Sequence, residues 1–271
     1  MHLSIEGRPP EAQSIRVLHA AFDAGLTLLD TADVYCLDES DLGHNERLIA
    51  AALASWRGRR EHLVVATKGG LTRPHGRWER NGRPAHLRQA CERSLGALGV
   101  DRIDLYQLHA PDPAVPFEDS VGALADLARE GKVRWVGLSN VSVQQVRAAE
   151  SIVTIATVQN RLSPFFREAI TEGVVEYCAR RRIGFLAYSP TGGGRLNLKL
   201  PAHPVLGPMA KALGVTAHQI VLAWVLAQGR SVIAIPSARK VEHVEDSARA
   251  ADLELSAADL EAVNQAAFSR A

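Results

Sequence analysis

Seven short apolar runs, rich in β-branched residues, each finish on a polar residue or on a Pro-Ser step. Residues 26–29 run into Asp30, 63–67 into Lys68, and 103–108 into His109. Residues 133–138 run into Ser139-Asn140, and 155–158 into Gln159-Asn160. Residues 185–188 run into Ser189-Pro190, and 232–235 into Pro236-Ser237. Runs of this length between helical patterns read as parallel strands of βα units. The pattern predicts an α/β chain, a (β/α)8 TIM barrel, whose active site lies where the strands finish. One pocket would then be lined by Asp, Lys, His, Ser, Asn and Gln from successive strands.

The 271 residues suit the about 250 that such a barrel needs. No linker or low-complexity segment interrupts them, so a single domain over 1–271 is expected. Helical spacing predicts helices over 11–24, 45–56, 84–98, 117–130, 171–181 and 241–250. Others open at Ser142 and Thr216, where Gln145 and Gln219 stand at capping-box spacing, and an extra one at Ser256. Two long loops, 69–83 and 191–216, follow strand ends and are expected to wall the pocket.

The strand count falls one short of the helices. Before the first helix only Leu3-Ser4-Ile5 is left for a strand, so either the chain has lost most of the first strand or translation starts further upstream, and a truncated start is expected. A gapped barrel bares two strand edges. On this reading, a form extended upstream by about 20–30 residues would be more stable and bind nucleotide better.

Composition narrows the function. A net charge of +1 gives no general electrostatic case for nucleic acid or an anionic membrane. The basic clusters 57–60 and 180–182 close helical patterns, where cations suit the helix dipole. Cys36, Cys91 and Cys178 are odd in number and widely spaced, which fits a reducing compartment. The first residues lack a signal-peptide pattern, and the apolar stretch 220–227 is far below the ~20 residues of a membrane span. A cytoplasmic location is expected. The ten histidines form no ligand-spaced set, so no metal is expected.

The sharpest motif is Asp30-Thr31-Ala32-Asp33-Val34-Tyr35. With Lys68 and His109 at later strand ends, it closely resembles the catalytic set of the aldo-keto reductases. The resemblance continues through 137–140, 158–160, 187–190 and 235–239, in order and at strand ends. Taken singly, each residue has a structural reading: Asp30 as a loop cap, Tyr35 as packing, Lys68 as an ion-pair partner, His109 as a loop histidine. Together they suit carbonyl reduction. Tyrosine, with a pKa of ~10, is a poor acid at neutral pH. A neighbouring ammonium favours the phenolate and lowers that value. A carboxylate keeps the lysine charged, and a histidine orients the carbonyl oxygen. The resemblance assigns these roles to Tyr35, Lys68, Asp30 and His109.

For the cofactor, no G-x-G-x-x-G is present, so the Rossmann fingerprint is absent. The run 192–194 is glycine, and Gly192 lets backbone approach a pyrophosphate. The resemblance puts Ser139, Asn140 and Gln159 on a nicotinamide carboxamide, Tyr188 against its ring, and Ser189 beside it. It puts Ser237 and Arg239 at the adenosine phosphate, with His243 and Ser247 nearby. An arginine there favours NADPH, with NADH possible. The family often has Gly where Ser237 stands, and Glu-Asn where Asp246-Ser247 stand. The expected partner is a small carbonyl substrate. Two other functions stay open: a cofactor-binding barrel with little turnover, as in potassium-channel β subunits of this fold, and a Schiff-base lyase using Lys68. Trp78, in the loop 69–83, is a candidate wall of the substrate pocket.

Overall fold

The computed structural model describes residues 1–270. Its main sheet takes seven strands, paired in chain order, apart from a separate two-stranded hairpin. Strands that follow the chain with helices between them have the arrangement of a (β/α)8 barrel. By residue contacts the chain divides into two compact units, 1–158 with 237–241, and 159–236 with 242–271.

The first unit opens on α1 (Glu11–Asp23), β1 (Leu28–Asp30), α2 (His44–Ser55) and β2 (Val64–Gly69). A two-stranded hairpin follows, β3 (Leu71–Thr72) with β4 (Glu79–Arg80), and then α3 (Pro84–Leu98). It continues through β5 (Ile103–Leu108), α4 (Phe117–Arg129), β6 (Val133–Ser139), α5 (Val143–Glu150) and the first part of β7 (Ile155–Arg161). Pro84 opens α3 at its first turn, where no amide donor is needed, and Gly99 closes it in the left-handed conformation. The capping box at Ser142 and Gln145 is formed as its spacing predicts. Register places Asp30 beside Ala66, Lys68 beside Gln107, and Gln107 beside Gly137. Side chains alternate along a strand, so Lys68 and Gln107 share one face while Thr67 and Tyr106 share the other. A β-carbon at Gly69 would lie 2.1 Å from the Tyr106 hydroxyl, so only glycine fits directly after Lys68.

The second unit carries the end of β7, then α6 (Glu168–Thr171), α7 (Val174–Arg181) and β8 (Gly184–Tyr188). It ends with α8 (Gly194–Asn197), α9 (Leu206–Leu213), α10 (Ala217–Leu226), β9 (Val232–Ile235), α11 (Val241–Arg249) and α12 (Ala257–Gln265). Its capping boxes at Thr216 and Ser256 are also formed. The helix expected over 171–181 is broken by Gly173, whose φ of 76° separates α6 from α7. The loop expected over 191–216 contains α8 and α9, whose apolar residues Leu196 and Leu206 are buried. Among the described residues no single helix is long and apolar enough to cross a membrane.

The start of the chain departs from expectation. Leu3-Ser4-Ile5 form a turn rather than the stump of a strand, with the Ser4 amide donating to Met1 O at 3.0 Å. The reason is local. Ser4 is buried, and its hydroxyl bonds His44 Nδ1 at 2.8 Å and accepts from Asn45 Nδ2 at 2.7 Å. Those polar partners replace a strand ladder.

Candidate active site

The first unit gathers Asp30, Tyr35, Lys68 and His109 around one ammonium group. Lys68 has no exposed surface. Its Nζ donates to Asp30 Oδ2 at 2.7 Å, to the Thr31 carbonyl at 2.7 Å and to the Tyr35 hydroxyl at 3.2 Å. All three ammonium protons therefore have an acceptor. Burial pulls the ammonium pKa down, but the Asp30 carboxylate and Tyr35 outweigh it and leave the group above its ordinary value. Gln107 Nε2, from β5 on the far side of β2, reaches the other Asp30 oxygen at 3.3 Å and helps fix the carboxylate. Beyond β1 the ladder continues irregularly, with the Thr31 amide on Ala66 O at 2.8 Å and the Asp33 amide on Lys68 O at 3.3 Å. These bonds hold the loop that presents Tyr35.

The His109 ring lies edge-on to Tyr35, centroids 5.7 Å apart. Burial, with the Lys68 charge beside it, pushes the imidazole well below its ordinary pKa, so at neutral pH it is uncharged. Its Nδ1 is buried without a hydrogen-bond partner. Trp78 closes a triangle with both rings, 6.3 Å from Tyr35 and 6.5 Å from His109. The Arg73 guanidinium stacks 4.0 Å from the Trp78 ring and is anchored to the Cys36 and Leu37 carbonyls. The segment 69–83 thus places Trp78 beside Tyr35 and His109, held by an arginine that sequence reasoning passed over.

The other predicted residues divide by unit. In the first, Ser139 is buried at the end of β6, and Asn140 follows with a φ of 58°. The Asn140 amide donates to the His109 carbonyl at 3.0 Å and to Ser139 Oγ at 3.1 Å, tying two strand ends together. Ser237 is exposed. Arg239 faces the start of the chain, donating to His2 O at 3.2 Å and Glu6 O at 3.1 Å. In the second unit, Gln159 is buried on β7, and Tyr188 ends β8 with the Arg161 guanidinium 5.5 Å from its ring. Ser189 takes a φ of 49°. Gly192 has a φ of 92°, and a β-carbon there would meet Phe165 at 2.7 Å, which is itself a reason for glycine. His243 and Ser247 stand four apart on α11 and so share a face. Asp246, between them, is taken up by Thr216 Oγ1 and Gln219 Nε2, both at 2.9 Å.

This lysine, bonded at once to a carboxylate and a tyrosine beside a neutral histidine, is one half of the case. The other half is kinship. A model of the Aldo/keto reductase family matches residues 1–267. The chain belongs to that family. A probable aldo-keto reductase 1 of Glycine max is 35% identical over 94% of this chain and 80% of its own length. An uncharacterized oxidoreductase of Schizosaccharomyces pombe is 37% identical over 86% of this chain and 72% of its own. An aldo-keto reductase of Klebsiella pneumoniae, solved in complex with NADPH, superposes with a TM-score of 0.79 at 31% identity. It matches over 94% of this chain and 84% of that one. This aldo/keto reductase is accordingly an oxidoreductase with the (β/α)8 fold of its family.

Proposed function

We propose that this aldo/keto reductase transfers hydride between NADPH and a small aldehyde or ketone, with Tyr35 as general acid. The observation that carries the reading is the three-way grip of Lys68 on Asp30, Thr31 and Tyr35. A cation held against the phenol favours the phenolate, which makes Tyr35 a usable acid near neutral pH. His109, uncharged, serves as an orienting group for the carbonyl oxygen and not as the acid. The same ion pair speaks against a Schiff-base lyase, whose lysine must be neutral to attack.

The residues suit a nicotinamide nucleotide. Ser139 and Gln159 are buried polar groups at strand ends, of the kind a carboxamide needs. Asn140 and Ser189 keep left-handed backbones that non-glycine residues rarely adopt, a strain that clusters at binding sites. Gly192, Tyr188, Ser237, His243 and Ser247 are proposed to serve the nucleotide as well. Bound NADPH would supply the hydride to the carbonyl carbon. Tyr35 gives its proton to the carbonyl oxygen, Lys68 steadies the phenolate left behind, and solvent returns the proton. One catalytic domain over 1–271 is supported by a family model that runs through both units. A reducing, cytoplasmic setting is supported by three buried cysteines that form no disulfide among the described residues.

The test is a panel of aldehydes and ketones with NADPH or NADH, followed by nicotinamide absorbance. Turnover with NADPH bears the proposal out; nucleotide binding without turnover on any carbonyl favours a binding module. Arg239→Ala probes cofactor choice. If Arg239 meets the 2′-phosphate, its removal weakens NADPH about 10- to 100-fold and leaves NADH within about twofold. Equal weakening of the two nucleotides assigns Arg239 wholly to the carbonyls of His2 and Glu6.

A further inference from the structure

Behind the catalytic face lies a second polar group that the chemistry above does not use. Asp33 stands between Asp30 and Tyr35, and only 1% of it is exposed. Its backbone is already committed: the amide donates to Lys68 O at 3.3 Å, and the carbonyl accepts from the Gly43 amide, which caps α2, at 2.7 Å. Its carboxyl is turned inward among α2, α3 and the rear of the strands. The groups that act on it there are Glu46 from α2, Arg93 from α3 and Tyr106 from β5, with Cys36 on its own loop; Cys91 of α3 stands by Tyr106 and Glu46.

Two buried carboxyls thus share one guanidinium, and that guanidinium is loosely placed. Arg93 Nη2 lies 3.5 Å from Asp33 Oδ2, and Arg93 Nε has no partner. Neither Asp33 oxygen has a close hydrogen bond, nor does Glu46 Oε2. Two adjacent negative charges out of water, with Arg93 loosely placed beside both and Arg47 acting on Glu46, are not sustained; one carboxyl keeps its proton. Glu46 is the better placed to ionise, because Thr67 Oγ1 donates to its Oε1 at 2.5 Å. Asp33 has only weaker contacts, with the Val34 amide and the distant Arg93. Burial and the Glu46 charge raise its pKa to about 8, against the pull of Arg93. Cys91 and Tyr106, raised by the same burial, stay neutral.

The position of this group gives it a task. Thr67 and Tyr106 each immediately precede a residue of the catalytic face, Lys68 and Gln107, on the opposite side of the same strands. We propose that Asp33 is a positioning residue: a carboxyl kept protonated behind the catalytic strands, which holds the Tyr35 loop in register with Lys68 and whose ionisation is felt by Tyr35. This rests on Tyr35 and Lys68 working as the pair proposed above.

The experiment uses the full chain, its Asp33→Asn variant, isosteric with the neutral acid, and Glu46→Gln, which leaves Asp33 alone with Arg93. A carboxyl protonated when folded and ionised when unfolded destabilises the protein progressively as pH rises from the carboxylate range to the folded value. Asp33→Asn lacks that loss. Its melting temperature should gain on the parent by several degrees between about pH 5 and about pH 8, then run parallel. Glu46→Gln should shrink the parent's loss, because Asp33 then ionises beside Arg93. The second readout is the absorbance of the Tyr35 phenolate, isolated by subtracting each protein's Tyr35→Phe counterpart. It should appear about one pH unit lower in Asp33→Asn than in the parent, since no second charge opposes it. A melting difference independent of pH overturns the protonated carboxyl. A Tyr35 titration that does not move overturns the positioning role, since a merely structural residue leaves it in place. A chain that reduces no carbonyl sinks the function proposed above, while these two curves still decide the role of Asp33.

Discussion

Tyr35→Phe is expected to abolish carbonyl reduction while NADPH binding stays within about twofold, a loss of the 10²–10⁴ that a general acid typically contributes. The change deletes one oxygen. The ring keeps its edge-on packing against Trp78 and His109, so the aromatic cluster survives. Lys68 keeps Asp30 and the Thr31 carbonyl and loses only its bond at 3.2 Å. Single-turnover reduction under saturating NADPH is the measurement; a variant with parental rates assigns the acid to another group.

Lys68→Met should be nearly as damaging, and in a different way. The thioether matches the length of the lysine stem but carries no charge, so the Tyr35 phenol is left without its cation. The Asp30 carboxylate is left on Gln107 Nε2, its bond to the ammonium gone. Reduction is expected to fall about 10²–10³-fold at neutral pH. The pH profile should shift as well. The parent's alkaline limb should report a group below the ~10 of free tyrosine, and the variant should lose that feature. Removing one member of a buried ion pair also costs about 3–5 kcal/mol of stability, so the melting temperature must be read beside the rate. An unchanged profile makes Lys68 structural.

What the sequence made legible follows from what leaves a periodic or terminal mark. Strands β2 and β5 were visible because their β-branched runs are bounded, and Lys68 and His109 because they stand where those runs end. The capping boxes at Ser142 and Thr216 were visible as a hydroxyl with a glutamine three residues on. Gln107 was hidden because it lies inside an apolar run. An amide within a strand, facing the same side as the catalytic lysine, was the signal that could have found it. Glu46 was hidden because it reads as an exposed helical residue, yet it is fully buried. Helices α8 and α9 were missed in a stretch broken by Pro and Gly, where short helices leave no long periodicity. The first-strand stump failed for another reason: three residues carry too little pattern to separate a strand from a turn tied down by Ser4.

The placement of Trp78 also gives the protein an optical handle. Its indole is 47% exposed, stacked on Arg73 on one side and edge-on to Tyr35 and His109 on the other. Trp224, by contrast, is buried in α10, and Trp56 packs on Phe22 in the other direction along the chain. Trp135 is also exposed, but it lies under the Arg134 guanidinium, so a molecule that settles against Tyr35 is expected to strip water from the Trp78 ring. Its emission should shift to the blue on occupancy, and a Trp78→Phe variant should be silent to the same titration. Candidate substrates can therefore be ranked by colour before any turnover is seen.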